Sequence, residues 1–176
     1  MPCKFEKKAN LKDRYLKRND FSVRETGGKM EALLISKVLF LIGCVPYIFL
    51  GTAHIVLTFK DMKKSSALSP ANLKVRTSME ESNLKLTNET TIWKAWIGFN
   101  FSHGMGAVFF GFIYLWIGIS DFGFLLANWL LLPLAIVISL SYLILSLRFW
   151  FSKPTIGISI ASVMFVASYV TSWLIQ

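Results

Sequence analysis

Four long stretches of the chain contain no Asp, Glu, Lys or Arg, and they cover residues 38–59, 95–120, 122–147 and 154–176. A helix rises about 1.5 Å per residue, so about 20 apolar residues cross a bilayer core of about 30 Å. Every stretch is long enough to do so. The pattern predicts an all-α, polytopic membrane protein built as a four-helix transmembrane bundle.

The flanking residues extend these stretches into four predicted spans, at residues 33–59, 92–119, 122–147 and 154–175. A polar loop over residues 60–91 joins the first two spans. The later connections are very short, so we expect the second, third and fourth helices to be consecutive antiparallel neighbours.

Two prolines suggest local structure within this plan. Ser69 followed by Pro70 is typical of an N-cap and a first-turn proline, which predicts a short surface helix through about Glu81. Pro133 lies inside the third predicted span, where a proline removes a backbone hydrogen bond. We therefore expect a kink in that helix.

A polar, basic leader over residues 1–32 precedes the transmembrane domain at 33–176, and it holds nine of the 19 Lys and Arg residues. Its mixed charge and few aromatic residues are poorly suited to forming a core, which predicts a loosely ordered segment. Met30 is a second candidate start of translation, which would make residues 1–29 an upstream extension.

The composition, with 54% hydrophobic and 16% charged residues, agrees with a membrane protein. The net charge of +9 lies in the segments outside the predicted spans. Basic residues beside a membrane meet anionic lipid headgroups, and no nucleic-acid-binding motif accompanies them. The lipid bilayer is thus the expected partner, and nucleic acid is not.

The distribution of basic residues also bears on orientation. The turn from Arg148 to Lys153 carries two basic residues, whereas the turn at Ser120 and Asp121 carries none. Cytoplasmic segments are enriched in Lys and Arg, so the end with the polar loop is predicted to be cytoplasmic. Four spans place both termini on one side, which is then the external side. The nine basic residues of the leader favour the opposite orientation, and a start of translation at Met30 would remove this conflict.

Several kinds of chemistry are absent from the predicted spans. None of the spans contains Asp or Glu, which removes the intramembrane carboxylate that proton-coupled transporters use. The chain has no Ser-His-Asp set, phosphate-binding glycine loop or dinucleotide fingerprint. We predict no catalytic residues.

The two histidines, His54 and His103, both fall within predicted spans. A titratable group in the membrane is a site hypothesis by default, because placing it there is costly. Each lies on a stripe of small and polar residues at helical spacing, and we expect the two stripes to face each other. The candidate ligand-binding residues are His54, Asn100, His103, Tyr47 and Trp96.

The depths of these residues refine the hypothesis. His54 precedes Phe59 by five residues, while His103 follows Trp93 by ten. On antiparallel helices starting at the same level, the two imidazoles would differ in depth by roughly 7 Å. Asn100 is then the closer partner for His54, and haem ligation by both histidines is awkward.

Several functions stay open on these residues. The cluster could hold a lipid-like or small apolar ligand. Alternatively, its neutral side chains could only form hydrogen bonds that hold the helices together, along with Tyr47, Ser102 and Asn128. A haem or metal redox protein would use His54 and His103 as ligands, and apart from that alternative we expect no cofactor. A structural or assembly subunit would present small residues to partner helices, at Ala107-x-x-x-Gly111 and Gly157-x-x-x-Ala161.

Three segments carry a family resemblance: TNETTIWKAWIGFNFSHGMGAVFFG at 87–111, GTAHIVLTF at 51–59 and LRFWFSKPTIGI at 147–158. Together they resemble an uncharacterised family of small bacterial integral membrane proteins that includes leptospiral members. The resemblance covers about residues 33–176 and implies four helices in a bacterial cytoplasmic membrane. It places His54, Trp93, Trp96, Asn100 and His103 on the family motif, and it implies no activity.

Overall fold

The computed structural model describes the backbone of residues 4–64 and 66–173, and the side chains of residues 25–64 and 66–173. Six helices and one small hairpin make up this part of the chain. They are α1 (Lys4–Lys63), α2 (Leu73–Glu81), β1 (Asn83–Leu84), β2 (Thr87–Thr91), α3 (Ile92–Ser120), α4 (Phe122–Ala127), α5 (Leu131–Phe149) and α6 (Ser152–Trp173).

The predicted all-α fold is confirmed. Four helical segments are long and apolar enough to cross a membrane, and they cover Glu25–Lys63, Ile92–Ser120, Leu131–Phe149 and Ser152–Trp173. The strands β1 and β2 form a single antiparallel pair in the polar loop. The protein is a multi-pass membrane protein with four candidate spans.

Helix α1 occupies the centre of the bundle, where it packs closely against both α3 and α6. Helix α5 packs against α6, but its backbone does not pack closely against that of α3. The expectation that the second and third spans are direct neighbours is therefore wrong. A short connection brings helix ends together, yet it does not force two helices to lie side by side along their lengths.

Glycines bring α1 and α3 into close contact. A Cβ atom added to Gly51 would lie 2.8 Å from the carbonyl oxygen of Gly104, and one added to Gly111 would lie 2.9 Å from the carbonyl oxygen of Cys44. Real Cβ atoms essentially never approach so closely. Small residues allow the backbones of membrane helices to approach in this way. The predicted facing of the two small-residue stripes is confirmed.

Hydroxyl groups join α1 to α6. Ser36 Oγ donates to the carbonyl oxygen of Ser168 at 2.9 Å, and Ser168 Oγ donates to that of Ser36 at 2.8 Å. Further along the same interface, the rings of Phe40 and Phe165 lie 5.3 Å apart. Helix α1 thus contacts α3 along one side and α6 along another, and an aromatic core lies between α1, α3 and α6.

The predicted third span, 122–147, is not a continuous helix. It is divided into α4 and α5, with a break at residues 128–130. Asn128 stabilises the break, because its Oδ1 accepts a hydrogen bond from the amide of Leu130 at 3.1 Å and thereby competes with helix continuation. Pro133 consequently lies in the first turn of α5, where its missing N–H costs nothing, and not at a mid-helix kink.

Asp61 organises the polar loop. Its carboxylate is completely buried and accepts hydrogen bonds from the amides of Ser66 and Leu68 and from the hydroxyl of Ser69. The sequence context predicted Ser69 as the N-cap of the surface helix. Because Ser69 binds Asp61, this prediction is wrong. The helix does exist, but it begins at Leu73, and the side chain of Asn72 caps it by accepting from the amide of Lys74 at 3.0 Å.

Helix α1 is longer than predicted at both ends. It begins at Lys4 within the leader and continues to Lys63, four residues beyond the predicted end at Phe59. Side chains before residue 25 lie outside the described part of the chain, so the loose order of the leader stays a prediction. Because of the extra turn at the C-terminal end, a depth counted from Phe59 starts about one turn too early.

Candidate functional site

The first part of the candidate site is a hydrogen-bonded pair between α1 and α3. His54 Nε2 and Asn100 Oδ1 lie 2.9 Å apart. Asn100 donates its amide Nδ2 to the carbonyl oxygen of Trp96 at 2.7 Å, which turns Oδ1 toward the histidine. Since an amide oxygen only accepts hydrogen bonds, His54 Nε2 carries a proton and donates it. The predicted pairing of His54 with Asn100 is confirmed.

The two histidines lie closer in depth than the sequence suggested. With α1 ending at Lys63, His54 is nine residues from the end of its helix, and His103 is eleven residues from the start of α3 at Ile92. The difference of two residues corresponds to about 3 Å. The imidazole rings consequently meet edge to face, with their centroids 5.5 Å apart. The offset of roughly 7 Å was wrong because the helix end had been placed one turn too early.

His103 is surrounded by aromatic rings from its own helix and from other parts of the bundle. Its imidazole meets the indole of Trp150 edge to face at 4.7 Å between centroids, and it lies 5.4 Å from the ring of Tyr142. The ring of Phe99 stacks beside it at 6.1 Å. Trp150 follows the end of α5 directly, so these contacts bridge the gap between α3 and α5. We call His54, Asn100, His103, Tyr142 and Trp150 the histidine cluster.

Several polar atoms in the histidine cluster have no hydrogen-bond partner, among them those of His103 and Tyr142. Neither the ring nitrogens of His103 nor the hydroxyl of Tyr142 forms a hydrogen bond with any residue whose side chain the structure describes. No buried side-chain nitrogen or oxygen in the described part of the chain lacks a partner. The unpaired atoms of His103 and Tyr142 are therefore not fully enclosed by protein, and a bound molecule can contact them.

The other predicted site residues are placed differently. Tyr47 is completely buried, and its hydroxyl donates to Ser139 Oγ at 2.9 Å, away from the histidines. It approaches the cluster only through its edge-to-face contact with Tyr142, at 5.5 Å. Trp96 contributes its backbone carbonyl to Asn100, while its side chain is 40% exposed. Of the five candidates, the structure brings His54, Asn100 and His103 together through their side chains.

Sequence reasoning missed Tyr142 and Trp150 as members of the cluster. Tyr142 was visible as part of a polar stripe on the third span, and Trp150 as an aromatic residue near a membrane boundary. Neither signal shows which helix these residues face, because α3 and α5 meet only through long side chains. Knowledge of the order of helices around the bundle was needed to place them.

The cluster does not suit bis-histidine haem ligation in this conformation. Such ligation requires two imidazoles on opposite faces of one macrocycle, and the rings of His54 and His103 are in direct contact. For a metal ion, His54 Nε2 is already engaged by Asn100. The described residues contain no group of three or more His, Cys, Asp or Glu side chains that could hold an ion.

Both small-residue motifs considered for partner helices are used inside the chain. Ala107 is buried and Gly111 lies against Cys44 and Ile48 of α1. Ala161 is completely buried, and a Cβ atom on Gly157 would lie 2.7 Å from the side chain of Leu50. These faces are therefore not available to another protein.

Comparison with known proteins adds no relative: no family model, curated protein or solved structure matches this chain.

Proposed function

We propose that this membrane protein binds a lipid-like or small apolar molecule with a polar group at the histidine cluster. The observation that carries the proposal is the unpaired state of His103 and Tyr142 within a candidate membrane bundle. Lipid tails offer no hydrogen bonds, so unpaired polar groups in the membrane are costly. A ligand whose hydroxyl or carbonyl group reaches them would remove that cost.

The gap between α3 and α5 supplies the route of entry. The two helix backbones do not pack closely, and long side chains such as those of His103 and Tyr142 reach across the space between them. Gly106 faces this gap, since the nearest atom to a Cβ added there would be the Tyr142 hydroxyl oxygen at 3.6 Å. A molecule dissolved in the bilayer reaches the cluster sideways, with its apolar part left between α3 and α5.

The proposed membrane is the bacterial cytoplasmic membrane, in line with the family resemblance. The end of the bundle where α5 finishes and α6 begins carries two basic residues in its short connection, Arg148 and Lys153, whereas the short connection at Ser120 and Asp121 carries none. This distribution favours a cytoplasmic location for that end and an external one for the termini. The histidine cluster then lies in the cytoplasmic half of the bundle.

The test compares the molecules that stay bound to the wild-type chain and to His103→Phe. Phenylalanine keeps the ring contacts and removes the hydrogen-bonding nitrogens. The amount of ligand retained should therefore fall about tenfold, which corresponds to a loss of roughly 1.4 kcal/mol in binding free energy. Native mass spectrometry of protein extracted gently from its membrane measures both the amount of bound ligand and its mass.

Met105→Leu is the matched control, because Met105 lies two residues away on α3 and is 41% exposed. It should retain the ligand at the wild-type level. The proposal is wrong if the wild-type chain carries no bound molecule, or if His103→Phe and Met105→Leu retain the same amount.

A further inference from the structure

A second candidate site lies at the opposite end of the bundle, where α4 and α5 separate. The last carbonyl groups of any helix lack partners within that helix. In α4 these are the carbonyl groups of Leu125, Leu126 and Ala127. Irregular backbone within a membrane protein is tolerated where it is covered by protein or lines a polar cavity. The break therefore needs polar surroundings beyond the side chain of Asn128.

A cleft of about 310 Å³ lies beside the break, between α4, the first turn of α5 and the last turns of α6. The residues that matter for its chemistry are Asn128, Trp129, Tyr169, Ser172 and Trp173. Its volume is at the lower end of the range seen for small-molecule sites, about 300–1,000 Å³. It is large enough for part of a lipid but not for a whole one.

The depth of the cleft is that of a membrane interface. Ser168 of α6 pairs with Ser36 near the start of the uncharged run of α1, and Lys37 donates to the carbonyl oxygen of Ile119 at the end of α3. Trp129 is 84% exposed and Trp173 is 64% exposed beside the cleft. Exposed tryptophans of this kind collect at the level of the lipid headgroups and ester groups.

The polar groups of the cleft are uncharged. The amide Nδ2 of Asn128 and the hydroxyl of Tyr169 form no hydrogen bond with any side chain or backbone group in the described part of the chain. The lining residues include no Lys, Arg, Asp or Glu. These donors match neutral acceptors such as ester carbonyls, and no basic residue lines the cleft to balance a phosphate charge.

We propose that this cleft holds the glycerol–ester region of a phospholipid from the adjacent leaflet. The ester carbonyls accept hydrogen bonds from Asn128 Nδ2 and the Tyr169 hydroxyl, and the acyl chains continue along the outside of α5 and α6. The phosphate group stays outside, at the level of Trp129 and Trp173. This site is separate from the histidine cluster and does not depend on a ligand there.

The test uses the full chain in nanodiscs of phosphatidylcholine, released into mild detergent for native mass spectrometry. Ser172→Leu fills the cleft, and it should lower the amount of retained phosphatidylcholine about tenfold. Thr171→Leu is the matched control, because Thr171 also donates to a carbonyl of its own helix, that of Ala167, and does not line the cleft. It should retain lipid at the wild-type level.

A second variant keeps the proposal testable if Ser172→Leu fails to fold. Tyr169→Phe removes only the hydroxyl, and retention should fall about threefold, as expected for an average intramembrane hydrogen bond. Replacing a third of the lipid with anionic phosphatidylglycerol should leave unchanged the amount of lipid that Tyr169→Phe removes, because no basic residue lines the cleft.

Three outcomes would overturn the proposal. The wild-type chain could carry no lipid that Ser172→Leu and Tyr169→Phe remove, which would leave the cleft to water. The amount of lipid that these two variants remove could rise steeply with anionic lipid, which would indicate that the cleft binds a phosphate group. The same lipid could also disappear with His103→Phe, which would assign it to the histidine cluster and leave nothing to the cleft.

Discussion

Helix α3 meets its neighbours in two different ways. Toward α1 it presents Gly104 and Gly111, and the two backbones come into contact. Toward α5 it presents His103, and only long side chains cross the space between the helices. The first contact is a closely packed interface, whereas the second leaves the polar side-chain atoms of His103 and Tyr142 without hydrogen-bond partners.

The two sides of α3 therefore have different roles: the side that faces α1 stabilises the bundle, and the side that faces α5 is available for binding. Membrane helices gain little from the hydrophobic effect, so close packing of small residues and interhelical hydrogen bonds hold them together. The α1–α3 and α1–α6 interfaces supply both. The α3–α5 gap supplies few such contacts and is therefore free to hold another molecule. If this view is correct, substitutions on the two sides of α3 should have opposite consequences.

Gly51→Leu should have the largest effect. A Cβ at this position would lie 2.8 Å from the carbonyl oxygen of Gly104 and 3.0 Å from the backbone nitrogen of Val108, so the helices must move apart. Overpacking of this kind costs about 3 kcal/mol of unfolding free energy. Titration with a denaturing detergent in mixed micelles measures the loss.

The matched control is Gly98→Leu on α3, where no atom lies within 4 Å of an added Cβ. It should leave the free energy of unfolding within about 0.5 kcal/mol of the wild type. Equal losses for the two variants would show that α1 and α3 are not in close contact.

The sequence predicts the packed side of α3 well. The four spans follow from the uncharged runs, because a bilayer fixes the length that each helix must have. The pairing of His54 with Asn100 follows from two stripes at helical spacing on antiparallel helices. Both inferences rest on local periodicity and on the membrane, and neither requires the order of all four helices.

The other side of α3 could not be predicted in the same way. The contacts of His103 with Tyr142 and Trp150 depend on where α5 lies in the bundle. Helix α5 packs on α6 and not on α3, and this arrangement depends on the shapes of whole interfaces. The break at Asn128 depends on a competition between its side chain and the helix. The burial of Asp61 depends on a loop that turns back on the end of α1. These are tertiary effects that no periodic pattern reveals.

Tyr47→Phe should have an intermediate effect. The Tyr47 hydroxyl donates to Ser139 Oγ at 2.9 Å and thereby connects α1 to α5 across the bundle core. Ser139 keeps its second contact, with Ser162 at 2.8 Å, so no group is left isolated. Removing one interhelical hydrogen bond in a membrane should cost about 1 kcal/mol, which the same detergent titration detects.

Tyr142→Phe is the control for Tyr47→Phe, since both changes remove one hydroxyl from a half-buried or buried tyrosine. The Tyr142 hydroxyl has no partner among the described residues, so its loss should leave stability unchanged while lowering ligand retention. If Tyr142→Phe destabilises the protein as much as Tyr47→Phe, the hydroxyl belongs to the packed core and not to a binding site.

Gly106→Leu should have the smallest effect on stability and a clear effect on binding. Gly106 faces the α3–α5 gap, and an added Cβ would make only an ordinary contact with Tyr142, at 3.6 Å. A leucine there fills the gap without separating packed backbones, so unfolding should change by less than about 0.5 kcal/mol. The leucine occupies the proposed entry route, so ligand retention should fall. Gly98→Leu makes the same chemical change on the same helix outside the gap, and it should retain the ligand. A stability loss near that of Gly51→Leu would instead show that α5 packs on α3 as closely as α1 does.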